Sequence, residues 1–410
     1  MEMKSNFFYG YIIVSVFFIL QLLMVGPRSS FGVFVNPLTT EFDWTRALVA
    51  GAFSLSSLIT GFSGILMGWL NDRLGPRIVL TICGILVGAG FVLMFFIDSA
   101  WQLYLFFGVL VGLGMGGVFP PQMSTVARWF IKRRNIMTAM LMVGGGLGGL
   151  VAPPLITWLI YTHSWQEAFL FVGIGVFILI ILAAQLLRRD PSQMGQVPYG
   201  GASEIRGKTP SSISRLSLKQ ALYTKKFWFF TIAVFCIGFC NGVPSVHIVP
   251  YAIDLGISPA TAAIILSVMN GAVPVGSIVV GLIADRISSR RAFMTCVCLL
   301  SSIMLLLLPV TSVWLLSFFV MILSFGSGGV AVLLSSLVAE LFGMKSHGAI
   351  LGCIVFSFTL GSAAGPFIAG SIFDSTNSYQ WAFLISGFLI IAAIILTAYL
   401  NRIRKTEATA

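Results

Sequence analysis

Long apolar segments separated by short polar loops dominate this chain of 410 residues. A helix that spans a bilayer needs ~20 predominantly apolar residues, and twelve segments reach that length. They cover residues 9–34, 47–70, 78–97, 102–127, 136–161, 166–187, 227–251, 260–284, 291–311, 314–338, 348–372 and 381–401. Only 9% of the residues are charged, whereas a soluble domain carries roughly 25%. Most of the surface must therefore face lipid, which predicts an all-α membrane protein of twelve transmembrane helices.

The basic residues are distributed unevenly between the two sets of loops. Of the 24 Lys and Arg residues, all but Arg28 and Arg46 fall in the terminal segments or in the loops after even-numbered spans. Arg46 follows the first span, and Arg28 lies inside it. Because cytoplasmic loops are enriched in Lys and Arg, we expect both termini to be cytoplasmic. The net charge of +11 is then a topology signal and not a sign of nucleic-acid binding.

One loop motif occurs twice in the chain, 213 positions apart. Each copy follows one apolar segment and precedes the next. The shared residues are Gly68, Asp72, Arg73 and Arg77 in the first copy and Gly281, Asp285, Arg286 and Arg290 in the second. The repeat predicts two halves of six helices. Because six is an even number, the second half enters the membrane from the same side as the first, which makes the halves a parallel repeat.

A polar interval divides the two halves. Residues 188–226 contain three prolines and interrupt the series of apolar segments, so they are predicted to form a linker. We therefore expect a first six-helix half at 1–187, a cytoplasmic linker at 188–226 and a second six-helix half at 227–410. The last part of the linker, 216–226, has the composition of a short interfacial helix.

The duplicated motif has two interpretations. Its glycine permits close approach of helices, and its Asp and Arg side chains are suited to charge-assisted hydrogen bonds and to helix ends. If those bonds form only when the cytoplasmic side is closed, the motif is a gate. The alternative is a static topology signal. Two copies at one spacing favour the gate.

Together, the spans, the linker and the duplicated motif resemble the major facilitator superfamily over essentially the whole chain. The resemblance implies secondary transport by alternating access. Within that superfamily, segment 27–34 resembles the first span of the monocarboxylate transporters, where a basic residue follows Pro. Segment 129–134, followed by Gly144, is similar to their signature before the fifth span. Met137 and Ala139 stand where that signature usually has Ala and Gly.

The eighth span departs from this resemblance. Monocarboxylate transporters usually carry an Arg four residues before the glycine of the second loop motif, and the animal members carry an Asp four residues earlier still. Here these positions are Ser277 and Val273. The departure argues against a standard proton–lactate mechanism. The oxalate–formate exchangers also keep that Arg and do not fit better.

Arg28 is the leading candidate for a substrate contact. An Arg inside a span costs at least ~2.5–3.5 kcal/mol on insertion scales, so it usually faces a cavity or a partner. The sequence places no Asp or Glu deep in any span, and we therefore expect an external anion as its counter-charge. A guanidinium binds a carboxylate in a bidentate manner. The alternative is that Arg28, about seven residues or roughly 10 Å from the outer end, reaches the headgroups.

Four further polar residues complete the predicted site. Asn241 is the counterpart of Arg28 in the repeat, and the two should face each other across a central cavity if the symmetry holds. His247 has an unperturbed pKa near neutrality and is interpreted either as a proton carrier or as a hydrogen-bonding residue near the outer interface. Gln122 offers an amide at mid-depth, beside two prolines that must break its helix. Tyr251 offers a hydroxyl.

The sequence therefore predicts a transporter in the cell membrane that works as a monomer. Its cargo is expected to be a small organic anion, such as L-lactate or pyruvate, that moves together with a proton. One alternative is an exporter or antiporter of other amphipathic or dicarboxylate compounds, with Arg28 merely interfacial. Another is a nutrient receptor that binds without transport.

Enzymatic chemistry has no support in the sequence. There is no phosphate-binding Gly-x-x-x-x-Gly-Lys-Ser/Thr loop to drive an ATP-dependent pump, and no His-Glu-x-x-His zinc motif. We expect neither a cofactor nor a metal. The six cysteines all lie in apolar segments and are interpreted as packing residues.

Overall fold

The computed structural model describes residues 8–130, 134–200, 216–287, 289–306, 312–342 and 347–409. The described part is helical almost throughout, and its β-structure is limited to an isolated bridge between Phe130 and Tyr199. The α-helices are α1 (Gly10–Ser29), α2 (Phe31–Phe42), α3 (Arg46–Leu74), α4 (Pro76–Leu93), α5 (Ala100–Leu103), α6 (Gly112–Met115), α7 (Pro120–Trp129), α8 (Arg134–Thr162), α9 (Trp165–Gln185), α10 (Leu218–Leu222), α11 (Lys225–Asp254), α12 (Pro259–Ile287), α13 (Ser289–Leu306), α14 (Val313–Phe342), α15 (His347–Thr376) and α16 (Gln380–Thr409).

Eleven helical segments within the described residues are long and apolar enough to cross a membrane. The predicted ninth span, 291–311, falls on α13 and on residues 307–311, which lie outside the described part. The all-helical membrane fold is therefore confirmed, and the count of twelve stays a prediction. Lipid cannot supply hydrogen-bond partners, so each crossing is a helix that pairs its own backbone groups.

Two of the crossings are interrupted. The first runs over Gly10–Phe42, and its helix breaks at Ser30 between α1 and α2. The fourth contains a π-helix over Tyr104–Val111, then α6, then a turn, and restarts as α7 at Pro120. The predicted interruption beside the two prolines is present, because proline has no N–H to continue the ladder of the preceding turn. Such breaks free backbone groups that the interior must satisfy.

The chain divides into two compact units. The first comprises the described residues of 1–28, 59–152 and 159–209. In this unit α1 packs against α8 through glycines, where a Cβ at Gly26 would lie 2.8 Å from the carbonyl oxygen of Gly148. Glycine at this contact lets the two backbones approach, and small residues play this role widely between membrane helices.

The second unit comprises the described residues of 29–58, 153–158 and 210–410. Its centre is α11, which packs against α15 and α16, while α12 packs against α14. At the latter crossing a Cβ at Gly276 would lie 2.7 Å from the Cα of Phe325. The two units are defined by contacts between residues and not by the repeat. The boundaries predicted from the sequence, at 1–187, 188–226 and 227–410, stay a prediction.

Two residues within the linker pair with equivalent points of the repeat. The N–H of Tyr199 donates to the carbonyl of Trp129 at 2.9 Å, and the N–H of Leu216 donates to the carbonyl of Phe342 at 3.3 Å. Trp129 and Phe342 are 213 positions apart, which is the offset of the duplicated motif. The predicted interfacial helix is shorter than 216–226, since α10 ends before α11 begins.

Replacement of Gly276 by Ala is expected to destabilise the protein. A methyl group there must push α12 away from the backbone of α14, and overpacking of this kind costs typically ~1–3 kcal/mol. The matched control is Gly352→Ala, because a Cβ at Gly352 meets nothing within 4 Å. Thermal unfolding of the two purified variants checks the difference, and equal midpoints would contradict the tight crossing.

Candidate substrate site and gates

Arg28 lies at the break in the first span. It occupies the last turn of α1, directly before the interruption at Ser30, and its side chain is partly exposed. The helical crossing continues to Phe42 and contains 33 residues. Arg28 is therefore nearer the middle of the helix than the apolar segment suggested, because residues after that segment remain helical. Transporters commonly form their substrate sites at discontinuous helices, and Arg28 lies at such a break.

Gln122 is fully buried in the first turn of α7. Within the part of the chain that the structure describes, neither its Oε1 nor its Nε2 atom has a hydrogen-bond partner. A buried polar group without a partner costs about 1–3 kcal/mol, and buried groups of this kind call for an explanation. The amide is therefore suited to contact a ligand.

Other polar groups in the first unit satisfy the broken fourth span. The Nε2 atom of the buried Gln21 donates to the carbonyl of Val118 at 3.0 Å. The hydroxyls of Thr60 and Ser63 donate to the carbonyl of Gly112 at 3.1 and 3.2 Å. Sequence inspection missed these three side chains, because single polar residues in an apolar segment have no distinctive spacing.

In the second unit, Asn241 and Tyr251 lie on α11. The Asn241 Nδ2 atom donates to the carbonyl of Ile237 at 2.9 Å, one turn back on the same helix. The ring of Tyr251 packs edge-on against Tyr379 and Phe383, with centroid distances of 5.9 and 5.1 Å. Asn241 and Arg28 belong to different units, so their juxtaposition stays a prediction.

His247 is fully buried on α11, and both of its ring nitrogens have partners. Nε2 lies 2.8 Å from the carbonyl oxygen of Pro366, and Nδ1 lies 3.0 Å from the hydroxyl of Tyr379. A carbonyl only accepts hydrogen bonds, so Nε2 carries the proton and Nδ1 accepts from the Tyr379 hydroxyl. Burial raises the pKa of that hydroxyl above its ordinary value, so it remains a donor at neutral pH.

In each half, the glycine of the duplicated motif lies on one helix and faces a side chain of the helix two crossings further along the chain. A Cβ at Gly68 would lie 3.2 Å from the Cβ of Pro120, on α7. A Cβ at Gly281 would lie 3.5 Å from the side chain of Val332, on α14. Both glycines therefore permit a close approach of the second helix of a half to its fourth crossing.

The arginines of the motif differ in their contacts. The Arg77 Nε atom donates to Gln185 Oε1 at 2.8 Å, while the Arg290 Nε atom lies 3.0 Å from Glu340 Oε1. The repeat thus keeps the arginine and changes its partner.

The remaining charges of the motif lie at the surface or outside the described side chains. The guanidinium carbon of Arg73 lies 4.1 Å from the ring centre of Trp69, and Arg286 is exposed. The side chains of Asp72 and Asp285 lie outside the described residues. The role of the motif as a gate stays a prediction.

A family model with the description Major Facilitator Superfamily matches residues 17–273 and 230–410. The chain belongs to the major facilitator superfamily. It is a multi-pass membrane transporter and not an enzyme, as the sequence resemblance implied.

Several curated monocarboxylate transporters are similar to the chain over nearly its whole length. Monocarboxylate transporter 13 of Bos taurus is 28% identical over 386 residues, which cover 94% of the chain and 87% of the relative. Monocarboxylate transporter 12 of Homo sapiens is 26% identical over 429 residues, which cover 97% of the chain and 82% of the relative. The predicted resemblance to monocarboxylate transporters is confirmed.

A solved structure shares the fold. A bacterial homologue of the human lysosomal transporter Spinster, in an inward-facing and occupied conformation, superimposes with a TM-score of 0.77. The match covers 97% of the chain and 98% of the bacterial protein, at 14% sequence identity. At this identity the likeness concerns the fold alone.

Tight packing occupies the eighth-span position where monocarboxylate transporters carry an Arg. The Ser277 hydroxyl donates to the carbonyl of Gly328 at 2.9 Å. Gly328 also lies against the backbone of Val273, so closely that a Cβ could not be added. The α12–α14 crossing is therefore tight at Gly328, and the Ser277 hydroxyl is bonded within that crossing.

Asn71 is a buried residue of the motif segment that sequence inspection missed. Its Nδ2 atom donates to Ser124 Oγ at 2.8 Å and approaches the carbonyl of Pro121 at 3.4 Å. The amide thereby ties α3 to the restarted helix α7, and Asn71 holds in place the segment that carries Gln122.

The bond between Asn71 and Ser124 is expected to stabilise the first unit. Buried hydrogen bonds of this kind contribute about 0.5–1.5 kcal/mol, so Asn71→Ala should lower the midpoint of thermal unfolding. Ser124→Ala in the Asn71→Ala background should cost little more, because the bond is already lost. Fully additive losses in this double-mutant cycle would show that the two side chains act independently.

Proposed function

We propose that this transporter carries a small monocarboxylate, such as L-lactate or pyruvate, together with a proton, by alternating access. The observation that carries the proposal is Arg28 at the break of the first span. The names of the monocarboxylate transporters that resemble the chain support the same class of cargo. We further propose that it acts as a monomer in the cell membrane, with both termini in the cytoplasm.

Arg28 is proposed to hold the carboxylate. A guanidinium presents two parallel N–H donors to two carboxylate oxygens, which selects a planar anion over a neutral solute. Arg28 lies near the middle of the 33-residue helical segment and not at its end, which supports a substrate contact over an interfacial role. Ser277 stands where similar transporters have a cation in the eighth span. Arg28 is therefore proposed to bind the negative charge of the substrate.

Gln122 is proposed to contact the remaining polar group of the substrate. Its amide is fully buried and has no partner within the described residues. A lactate hydroxyl or a pyruvate carbonyl is complementary to such an amide, which both donates and accepts. Asn241, Tyr251 and His247 are proposed as further contacts from α11, and apolar side chains would enclose the short carbon chain.

A proton would remove the electrical penalty of anion uptake. Moving one negative charge against an inside-negative potential costs ~2.3 kcal/mol per 100 mV, and a co-transported proton makes the step neutral. The proton either binds His247 or travels on the substrate as the undissociated acid. The duplicated motif is proposed to close the cytoplasmic side in the alternate state.

Substitution of Arg28 is expected to slow the uptake of labelled lactate into proteoliposomes. Arg28→Ala removes a charged hydrogen-bond partner, and a loss of about 1.5–3 kcal/mol corresponds to a rate reduced by at least about ten-fold. Arg28→Lys keeps the charge without the bidentate geometry and should fall between. The control is Arg291→Ala, which removes an exposed cation. Parental rates in both Arg28 variants would remove it from the site and favour an exporter of amphipathic compounds.

An imposed proton gradient is expected to drive lactate accumulation in the same vesicles. One pH unit supplies about 1.4 kcal/mol per proton, a factor of about ten in concentration. Uptake that ignores the gradient would exclude proton coupling. His247→Gln then separates the two carriers: loss of the stimulation with retained lactate exchange places the proton on His247, and retained stimulation places it on the substrate.

A further inference from the structure

Arg46, the first residue of α3, gathers groups from three other elements of the second unit. Its Nη1 and Nη2 atoms lie 2.6 and 2.8 Å from the carboxylate oxygens of Asp254, at the end of α11. Nη1 also donates to the Tyr379 hydroxyl at 2.9 Å. The guanidinium carbon lies 4.0 Å from the ring centre of Phe373 on α15. Bidentate pairing and cation–π stacking together fix the plane of the guanidinium.

Asp374 binds the backbone at the same point. Its Oδ1 atom accepts the N–H of Arg46 at 3.0 Å, and its Oδ2 atom accepts the N–H of Ala47 at 2.9 Å. These are the first two amides of α3, which have no partner within their own helix. A carboxylate at a helix N-terminus also complements the helix dipole. Asp374 on α15 thus caps a helix that lies far away in sequence.

The backbones come into direct contact around this cluster. A Cβ at Gly370 would lie 2.8 Å from the backbone N and Cα of Ala47, and a Cβ at Gly32 would lie 2.8 Å from the carbonyl oxygen of Val246. Helices α2 and α3 are therefore pressed against α15 and α11 at two separate glycines. These contacts explain why residues 29–58 pack with the second unit.

A chain of hydrogen bonds leads from this cluster into the buried interior. Arg46 donates to the Tyr379 hydroxyl, the hydroxyl donates to His247 Nδ1, and His247 Nε2 donates to the carbonyl of Pro366. Each group in this series donates to the next. The imidazole therefore orients the hydroxyl so that its lone pairs face Arg46.

The charged groups of the cluster keep some access to water. The side chains of Arg46 and Asp254 are 14% and 33% exposed, and Asp374 is exposed. Water can replace each partner when the groups separate, so breaking the cluster does not strand a buried charge. The arrangement is thus suited to repeated opening.

We propose that Arg46, Asp254, Asp374 and Tyr379 form a latch that closes the membrane side opposite the termini, with His247 as the residue that positions Tyr379. When the latch is engaged, α2 and the start of α3 are held against α11 and α15. When it releases, that side opens. The latch rests on the alternating-access cycle of the proposed function, and it shares His247 with the proposed substrate contacts on α11.

The latch is tested by labelling a reporter cysteine from the side opposite the termini. Val35→Cys suits this purpose, because Val35 is fully buried on α2, one turn from Gly32. Adding Arg46→Ala should raise the labelling rate by an impermeant maleimide at least about five-fold, which corresponds to about 1 kcal/mol. Tyr379→Phe and His247→Gln should each raise the labelling rate by less than Arg46→Ala does. The double variant should label no faster than Tyr379→Phe alone, because both changes remove the same hydrogen bond.

Three controls accompany this experiment. The chain without Val35→Cys gives the background of the six native cysteines. Asp98→Asn removes an exposed acid that contacts Ser99 and not the latch, and it should leave the labelling rate unchanged. Exchanging the charges, as Arg46→Asp with Asp254→Arg, should bring the rate back toward the parental value.

Unchanged labelling in folded Arg46→Ala protein would overturn the proposal, as would an equal rise in Asp98→Asn. If Arg46→Ala does not fold, Asp374→Asn keeps the side-chain volume and weakens the cap of α3, and the same criterion applies. Labelling needs no substrate. Absence of lactate transport would therefore overturn the proposed function and leave the latch standing. Lactate transport with an unchanged labelling rate in Arg46→Ala would overturn the latch alone.

Discussion

The hydrocarbon interior of a bilayer offers no hydrogen-bond partners, and this constraint governs the whole structure. Regular helices meet it by pairing their own backbone groups. Where the fourth crossing is broken, Gln21, Thr60 and Ser63 supply donors to carbonyls in the irregular segment. Where a buried polar side chain has no such partner among the described residues, as at Gln122, the cost of its burial is not offset within that part of the protein, which is why Gln122 is proposed as a ligand contact.

Much of the fold follows from the sequence because membrane crossings obey a simple rule of length and polarity. The segment 47–70 corresponds to α3, and the double proline marks the restart at Pro120. The break at Ser30 could not be predicted, because Pro27 remains inside α1 and the chain continues as helix after the apolar segment ends.

The candidate site was only partly predictable, because its contacts join distant parts of the chain. Arg28, Gln122 and His247 stand out in the sequence as polar residues in apolar segments. The groups that surround these residues cannot be identified from the sequence. The partners of Arg46 lie 208, 328 and 333 residues away, and no periodicity relates them. Asp254 and Asp374 are ordinary interfacial acids in the sequence, and only the fold brings them to one guanidinium.

The latch and the duplicated motif differ in their relation to the repeat. The motif occurs in both halves, so it is most simply inherited from the single ancestral unit. The latch is not duplicated in this way: Pro259 stands at the position equivalent to Arg46 and Phe34 at the position equivalent to His247, although Glu41 keeps the acid of Asp254. One end of the transporter therefore follows the symmetry of the repeat, and the other depends on residues that distinguish the two halves.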